Sequence, residues 1–184
     1  MKIGALGDVH GDFASVGRLM VRHPEVAAWV AVGDLGDDEG RYASPPSPLY
    51  WIKGNNDNLG FVADLAFGRR TLANLVYMPN GIPFRLGPIR VVGLGGTYAP
   101  TWYERTPAEL PEPRLHREGR DGFPPMARDD KRRHFLRIEV EACKRLSGID
   151  LFLSHEAARP FYMDVRGRRQ DVGKTAINEV LAAL

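Results

Sequence analysis

The fold is decided by the opening stretch of the chain, which reads KIGALGDVHG over residues 2–11. Its apolar run Ile3–Leu6 is typical of a buried strand, and Gly7 begins the loop that follows. Asp8 and His10 are spaced i and i+2 just past this strand. In extended backbone both side chains therefore point to one face and can reach a single ion. Taken alone, the motif is equally well explained by a turn that caps the next helix.

Three further short motifs follow apolar, strand-like runs later in the chain. They are Gly33-Asp34-Leu35-Gly36-Asp37, Gly54-Asn55-Asn56-Asp57 and Ser154-His155-Glu156-Ala157. In open α/β sheets, ligands gather beyond the carboxyl ends of the strands. The four motifs together supply carboxylate, amide and imidazole groups, which suit a pair of divalent transition metals. Each of these three motifs, taken alone, is more often a structural turn or a hydrogen-bonded histidine.

The rest of the chain alternates strand, loop and helix, the order expected for βαβ units and a largely parallel sheet. Strands are predicted at Ile3–Leu6, Trp29–Val32, Leu49–Ile52 and Ile149–Leu153, with a β-hairpin within residues 76–92. Helices are predicted at Phe13–Arg22, between Asp129 as N-cap and Gly148 as the residue past the C-terminus, and at Gly173–Leu184. Residues 97–128 are predicted to form a long excursion without regular structure.

Length and composition set broad limits on function. The chain has 184 residues, one cysteine and a net charge of +2. These values predict a single domain with no internal disulfide and no strong attraction to a polyanion or a membrane surface. No stretch approaches the roughly 18 apolar residues of a membrane span, and the N-terminus runs straight into a motif instead of a signal peptide. We therefore expect a cytoplasmic protein.

The four motifs, in this order and with these flanks, resemble the calcineurin-like metallophosphoesterases. The family pattern reads D-x-H, then G-D-x-x-D, then G-N-[H/C]-[D/E], then a strand that ends in a His, and finally G-H-x-H. The resemblance covers residue 3 to about residue 160 and includes the first, second and fourth elements and part of the third, whereas the sequence lacks G-H-x-H. It implies an α/β fold over residues 1–184, with a two-sheet β-sandwich flanked by helices in four layers and shortened at its C-terminal end.

The resemblance also implies a role for each matching residue. The first metal ion would bind Asp8, His10 and Asp34. The second would bind Asn55 and His155 and would share Asp34 as a bridge. Two divalent ions are therefore expected, with Mn favoured and Fe, Zn, Co or Ni as alternatives.

The missing G-H-x-H motif has two consequences. Each ion would lack one His, and His23, His116 and His134 are interpreted as surface residues, although one of them or a neighbouring chain could fill the gap. The strand that leads to the motif is also missing. A sheet edge and part of the apolar face of the last helix are therefore expected to be uncovered.

Asn56 occupies the position at which the family usually has a proton-donating His. An amide cannot act as a general acid near neutral pH, so the catalytic residue is left open. Substrates with good leaving groups should suffer least. Arg159 is a candidate substrate contact in the basic segment 159–174, which also contains Phe161 and Tyr162 and is compatible with nucleic acid.

The resulting hypothesis is a metal-dependent phosphoesterase that hydrolyses a phosphate ester, with a phosphodiester favoured, by two-metal activation of water. One alternative is a weakly active or inactive protein of the same fold that serves as a scaffold for protein binding. A second alternative is a nuclease of the DNA-repair type. The substrate and the oligomeric state stay open.

Overall fold

Two main sheets and one separate β-hairpin form the β-structure in the computed structural model, which describes residues 1–111 and 130–184. The first sheet is parallel, in the order β1 (Lys2–Leu6), β2 (Val26–Ala31), β3 (Leu49–Trp51), β4 (Leu75–Tyr77). The second has β6 (Ile89–Leu94) between antiparallel β5 (Phe84–Leu86) and parallel β7 (Leu151–Ser154). The hairpin joins β8 (Tyr162–Val165) and β9 (Arg168–Asp171), and the helices are α1 (Phe13–Arg22), α2 (Leu59–Ala66), α3 (Pro100–Tyr103), α4 (Arg137–Lys144) and α5 (Thr175–Ala183).

Successive residues of the first sheet point to opposite faces, as the two-residue period of a strand requires. Trp29 and Ala31 of β2 join an apolar cluster with Met20 of α1. Val30, which lies between them in β2, joins a second cluster together with Val91 of β6. Helices therefore cover one face of the first sheet, and the second sheet covers the other.

The second sheet is also covered on both faces. Val91 of β6 and Leu153 of β7 belong to the cluster that the two sheets share. Val92 of β6 packs instead with Phe135 and with Ile177 of α5 in a third cluster. The elements that share each cluster give the order of the layers as helices, sheet, sheet and helices. Burial of apolar surface in the clusters holds these layers together, at roughly 25 cal/mol for each Å².

Most of the predicted elements are confirmed. Helix α1 begins and ends at the predicted residues, Phe13 and Arg22. The side chain of Asp12 caps it by accepting a hydrogen bond from the Ser15 N–H at 3.0 Å, and Pro24 follows its end. The four predicted strands and the last helix lie within three residues of their expected bounds, and β5 and β6 form the predicted hairpin.

The single helix predicted between Asp129 and Gly148 is wrong. Asp129 lies outside the described residues, a 3-10 turn occupies Lys131–Arg133, and α4 covers only Arg137–Lys144. The reason is tertiary, because Thr97 exchanges backbone hydrogen bonds with Arg133 and Phe135 and holds His134 between them in an extended conformation. The predicted excursion at 97–128 contains α3 and a 3-10 turn at Pro107–Glu109, and its part from 112 onward lies outside the described residues.

The last helix is more fully buried than expected, whereas its sheet ends in an edge strand, as expected. Ala176, Ile177 and Val180 of α5 are buried, and only Leu181 of its predicted apolar face is exposed, by 52%. Within the described ranges, β7 pairs with β6 on one side only, as expected for a sheet edge. None of the helices in the described part of the chain is long and apolar enough to cross a membrane.

Candidate metal centre

Three side chains singled out by the sequence motifs lie together at the carboxyl ends of the strands. Asp8 follows β1, Asp34 follows β2 and His155 follows β7. One ligand atom from each lies within 4.8 Å of the other two. Nδ1 of His155 is 3.8 Å from an oxygen of Asp8, and its Nε2 is 3.9 Å from an oxygen of Asp34. The fold thus brings one carboxylate from each of two loops up to one imidazole.

The backbone around this cluster is held in an uncommon conformation. The φ angles of Asp8, His10 and Asp34 are +45°, +46° and +47°, in the left-handed region that residues other than glycine seldom adopt. The His10 N–H donates to the Asp34 carbonyl at 2.8 Å, and the Gly11 N–H donates to the Leu35 carbonyl at 3.1 Å. Such strain costs on the order of 1–3 kcal/mol per residue and concentrates at functional sites.

The loops after β2 and β3 approach each other so closely that only glycine fits where they meet. A β-carbon on Gly33 would clash with the His155 ring and with the backbone of Gly54. A β-carbon on Gly54 would overlap the Asp34 carboxylate. The glycine of each motif therefore sets how near its polar neighbours come to one another.

Asn56 holds the Asp34 carboxylate in place from the β3 loop. Its backbone N–H donates to Oδ1 of Asp34 at 2.8 Å, and its side-chain amide donates to Oδ2 at 2.7 Å. Each carboxylate oxygen has two lone pairs, so both keep capacity for a further partner. Oδ1 faces His155, and Oδ2 lies 3.7 Å from Nε2 of His10. Asp34 thus presents one oxygen to each of two imidazoles.

His155 is oriented by contacts to both of its ring nitrogens. Nδ1 lies 2.7 Å from the Val32 carbonyl oxygen, and Nε2 lies 3.0 Å from the side-chain oxygen of Asn55. A carbonyl can only accept, so Nδ1 carries a proton. The neutral ring then presents a lone pair on Nε2, directly opposite a second acceptor. With the Asn55 amide in this orientation, the two acceptors face each other unless a cation or an added proton lies between them, and a rotated amide would instead donate its N–H to Nε2.

The side chains of the site differ in exposure, so that two buried ones form a floor and two exposed ones form a rim above it. The Asp34 and His155 side chains are only 5% and 8% exposed, whereas those of Asp8 and His10 are 65% and 50% exposed. A ligand can therefore enter past Asp8 and His10 and reach buried groups beneath them. Coulomb interactions at the floor are stronger than at the rim, because the floor is shielded from water.

Asp57 is a fully buried carboxylate that sequence reasoning assigned only to a turn. It accepts hydrogen bonds from the N–H groups of Leu35, Gly36 and Gly54 and from the Tyr42 hydroxyl. Burial raises the pKa of Asp57, and the hydrogen bonds from Gly54 and Gly36 oppose that rise. Asp57 therefore ties the loop after β2 to the loop after β3 and fixes the floor of the site.

The other aspartate of the second motif supports its own loop. The carboxylate of Asp37 accepts from the Glu39 and Arg41 N–H groups at 3.0 and 2.8 Å and pairs with the Arg41 guanidinium. It therefore lies among the residues of its own turn.

Arg159 is already paired within the described part of the chain. Its Nε donates to Asp171 at 2.8 Å at the base of the β8–β9 hairpin, and its backbone bonds Asn178 of α5. The predicted basic segment forms that hairpin, where the Arg169 guanidinium lies 4.6 Å from the centre of the Tyr162 ring. A substrate contact for Arg159 stays a prediction.

The remaining histidines lie apart from this cluster or outside the described residues. His23 is exposed and bonds Glu25 before β2, at the opposite end of the sheet. His134 is not the surface residue that was predicted, because it is half-buried and its Nδ1 lies 3.0 Å from the Thr97 hydroxyl. His116 lies in the range 112–129, which the structure does not describe.

Sequence reasoning missed Lys53, a buried cation that follows β3. Its side chain is on the pocket side of the β3 loop, and its only signal in the sequence is a lysine directly after an apolar strand. The signal for Asp57 was stronger, because an acidic residue ends the third motif in the family pattern.

Comparison with protein-family models, curated proteins and solved structures finds no match to this chain. The resemblance to the metallophosphoesterases therefore rests on the four sequence motifs and stays a prediction.

Proposed function

We propose that this protein is a metal-dependent phosphoesterase that hydrolyses a phosphodiester with two divalent ions, Mn²⁺ being favoured. The observation that carries the proposal is the pairing of His155 with Asn55. Nδ1 of His155 is committed to the Val32 carbonyl, and Nε2 faces the Asn55 oxygen at 3.0 Å. A histidine that binds a metal usually donates its other N–H to a carbonyl or carboxylate in this way.

The distance between these two acceptors also fits a shared ion. Two ligands at right angles on an ion with bonds of roughly 2.1 Å are themselves about 3.0 Å apart. The alternative, a proton on Nε2, would make the ring a cation next to Asp8 and Asp34 and is tested below. The donor set of imidazole, amide oxygen and carboxylate is suited to Mn, Fe, Co, Ni or Zn.

The second carboxylate oxygen of Asp34, Oδ2, is the observation that supports a second ion. Oδ2 of Asp34 lies 3.7 Å from Nε2 of His10, and Asp8 reaches the same cluster from the end of β1. Asp8, His10 and Asp34 would hold one ion, and Asp34, Asn55 and His155 the other. Bound in this way, such a pair activates water and neutralises phosphoryl oxygens.

Asn56 and Asp57 support the site in this proposal without binding an ion. Asn56 and Asp57 fix the orientation of Asp34 and its loop, which sets the geometry of the site before any ligand binds. Asn56 donates both of its hydrogen bonds to Asp34 and cannot protonate a leaving group. We therefore infer a substrate whose leaving group departs without strong acid assistance, such as an activated diester.

The fold is consistent with the same family. Apolar clusters order the layers as helices, sheet, sheet and helices, as in the four-layer sandwich that the resemblance implies. Fold likeness alone does not establish an activity, so the proposal rests on the site.

The proposal is tested by matched substitutions in the loop after β2. Asp34→Asn removes the bridging charge and nearly keeps the shape, whereas Asp38→Asn makes the same change at an exposed position. Hydrolysis of an activated aryl phosphodiester should require added Mn²⁺, be lost by at least 100-fold in Asp34→Asn and be unchanged in Asp38→Asn. Activity that survives in Asp34→Asn, after controls for contaminating enzymes, would defeat the two-metal mechanism.

Metal binding separates the enzyme from the scaffold alternative. Calorimetric titration with Mn²⁺ should show binding that is weakened in Asp34→Asn and in His155→Ala. Binding without hydrolysis of any mono- or diester would favour the scaffold, for which the hydrogen-bonded Asn56 is the supporting observation. Absence of both binding and hydrolysis would contradict the metal site and favour a structural pairing of His155 with Asn55.

A further inference from the structure

A pocket of about 320 Å³ opens beside the candidate metal centre, at the carboxyl ends of β3 and β4. Lys53 lines it and directly precedes Gly54, whose backbone touches the Asp34 carboxylate. The volume is at the small end of the range for small-molecule sites, about 300–1,000 Å³. The pocket therefore has room for a single small group, and Lys53 is the residue that connects it along the chain to the motif of Gly54 and Asn55.

One wall of the pocket is apolar. Val62, Ala63 and Phe67 contribute from α2 and its C-terminal end, and Tyr77 contributes from β4. Phe67 is 73% exposed, so this aromatic ring is available at the mouth. A wall of this kind binds a flat, weakly polar ring by stacking and by burial of apolar surface.

The opposite side of the pocket carries a buried charge. Lys53 is only 8% exposed, and its Nζ donates to the Arg132 carbonyl at 2.6 Å. Within residues 1–111 and 130–184, no carboxylate forms an ion pair with it. Burying an ammonium ion is costly unless a charged partner compensates it, and a single carbonyl supplies only part of that compensation.

The backbone around Lys53 leaves a defined channel for its side chain. A β-carbon on Gly95 would clash with the Lys53 backbone and approach its Cγ, and one on Gly96 would lie 3.3 Å from its Cε. The Glu139 carboxylate lines the same pocket but is already engaged by the Asn80 amide at 2.9 Å and the Leu136 N–H at 2.8 Å. The ammonium group is therefore fixed in place while the acidic residue of the pocket is used elsewhere.

We propose that this pocket binds one nucleotide unit of the substrate, with a phosphate on Lys53 and the base against α2. The phosphate supplies a charged partner for Lys53, which forms no ion pair with a carboxylate of the described residues, and the apolar wall suits a nucleobase. The inference rests on the proposed function, because it assigns the substrate as a nucleotide-containing phosphodiester. Its test measures binding without added metal and without catalysis, so the two ideas can fail separately.

The test uses three probes that divide the nucleotide into its parts: AMP, inorganic phosphate and adenosine. AMP should bind more tightly than either part. Lys53→Met should weaken AMP and phosphate by at least tenfold and leave adenosine unchanged. Ala63→Leu, which fills the apolar wall, should weaken AMP and adenosine and leave phosphate unchanged. Lys2→Met is the matched control, because Lys2 is exposed at the start of β1 and does not line the pocket. It should leave the affinity for all three probes unchanged.

Other outcomes overturn the proposal. If AMP binds equally well to the wild type, Lys53→Met and Ala63→Leu, the pocket is not its site. If either variant fails to fold, chemical shifts of the wild type decide, since AMP should perturb Lys53, Ala63 and Phe67. Shifts that are confined to Asp8 and His10, or the absence of any shift, would contradict the assignment as well.

Discussion

Two buried charges lie on either side of the same turn, and the structure treats them in opposite ways. Asp57 is fully buried and accepts four hydrogen bonds from two loops. Lys53 is 8% exposed and, among the residues that the structure describes, has one carbonyl as its hydrogen-bond partner. Only Gly54, Asn55 and Asn56 separate them in the sequence. The surroundings of Asp57 are complete without any ligand, and those of Lys53 are not.

This contrast teaches how to distinguish a structural charge from a functional one. A buried polar group that is fully hydrogen-bonded stabilises one arrangement of the chain, and removing it leaves its partners unsatisfied. A buried charge with too few partners lowers stability and is kept where a ligand provides the remainder. We therefore expect substitutions at Asp57 to affect folding and substitutions at Lys53 to affect binding.

Asp57→Asn is expected to have the largest effect on stability. The carboxylate oxygen that accepts from the Gly54 N–H at 2.6 Å would be replaced by an amide N–H in one orientation, and the bonds from Leu35 and Gly36 would be lost in the other. We expect the free energy of unfolding to fall by about 2–4 kcal/mol. Urea denaturation followed by circular dichroism measures it.

The control for this variant is Asp38→Asn, an identical change at an exposed position. Surface substitutions of this kind usually change stability by less than about 0.5 kcal/mol. Equal denaturation midpoints for the two variants would show that Asp57 does not hold the loops together.

The sequence predicted the site better than it predicted what supports the site. Asp8, Asp34 and His155 follow apolar strands, and the period of such strands is readable from a single sequence. Helix α2 was not predicted, because its eight residues come directly after a turn motif and are capped by Asn58. Neither the four donors of Asp57 nor the solitary carbonyl partner of Lys53 could be predicted, because each depends on how separate loops meet.

The β8–β9 hairpin shows a different limit of the sequence. Its residues are almost all exposed, so no alternation of apolar and polar side chains marks either strand. The charges of Arg168 and Arg169 suggested a basic patch, but they gave no sign of the antiparallel pairing of the two strands. Patterns predict buried strands because burial selects the residues, and that selection is absent here.

Acidification is expected to weaken the pocket region through His134. Burial first, and then Arg133, Lys131 and Lys53, lowers the pKa of His134 from 6.5 to about 4. Between these two values the unfolded chain binds a proton that the folded protein does not. The free energy of unfolding should therefore fall as pH decreases from 6.5 to 4, with no contribution from this residue at higher pH.

His134→Gln removes this titration and keeps a polar group near Thr97, whose hydroxyl lies 3.0 Å from Nδ1 of His134. The melting temperatures of wild type and variant should differ by a constant amount above pH 7. Below pH 6.5 the difference should shift in favour of the variant. A difference that stays constant down to pH 4.5 would mean that His134 titrates alike in both states.

Lys53→Met is expected to have the smallest effect on stability, and this makes the comparison with Asp57 sharp. Methionine fills a similar channel beside Gly95 and Gly96. It gives up one hydrogen bond, worth about 1 kcal/mol, and also removes the cost of burying an ammonium ion. These terms oppose each other, so the free energy of unfolding should change by less than about 1 kcal/mol, in either direction. AMP should then raise the melting temperature of the wild type more than that of the variant at the same concentration. The opposite outcome is that Lys53→Met lowers the free energy of unfolding as much as Asp57→Asn does. In that case the carbonyl contact of Lys53 would stabilise the fold as much as the four hydrogen bonds of Asp57, and Lys53 would be a structural residue like Asp57.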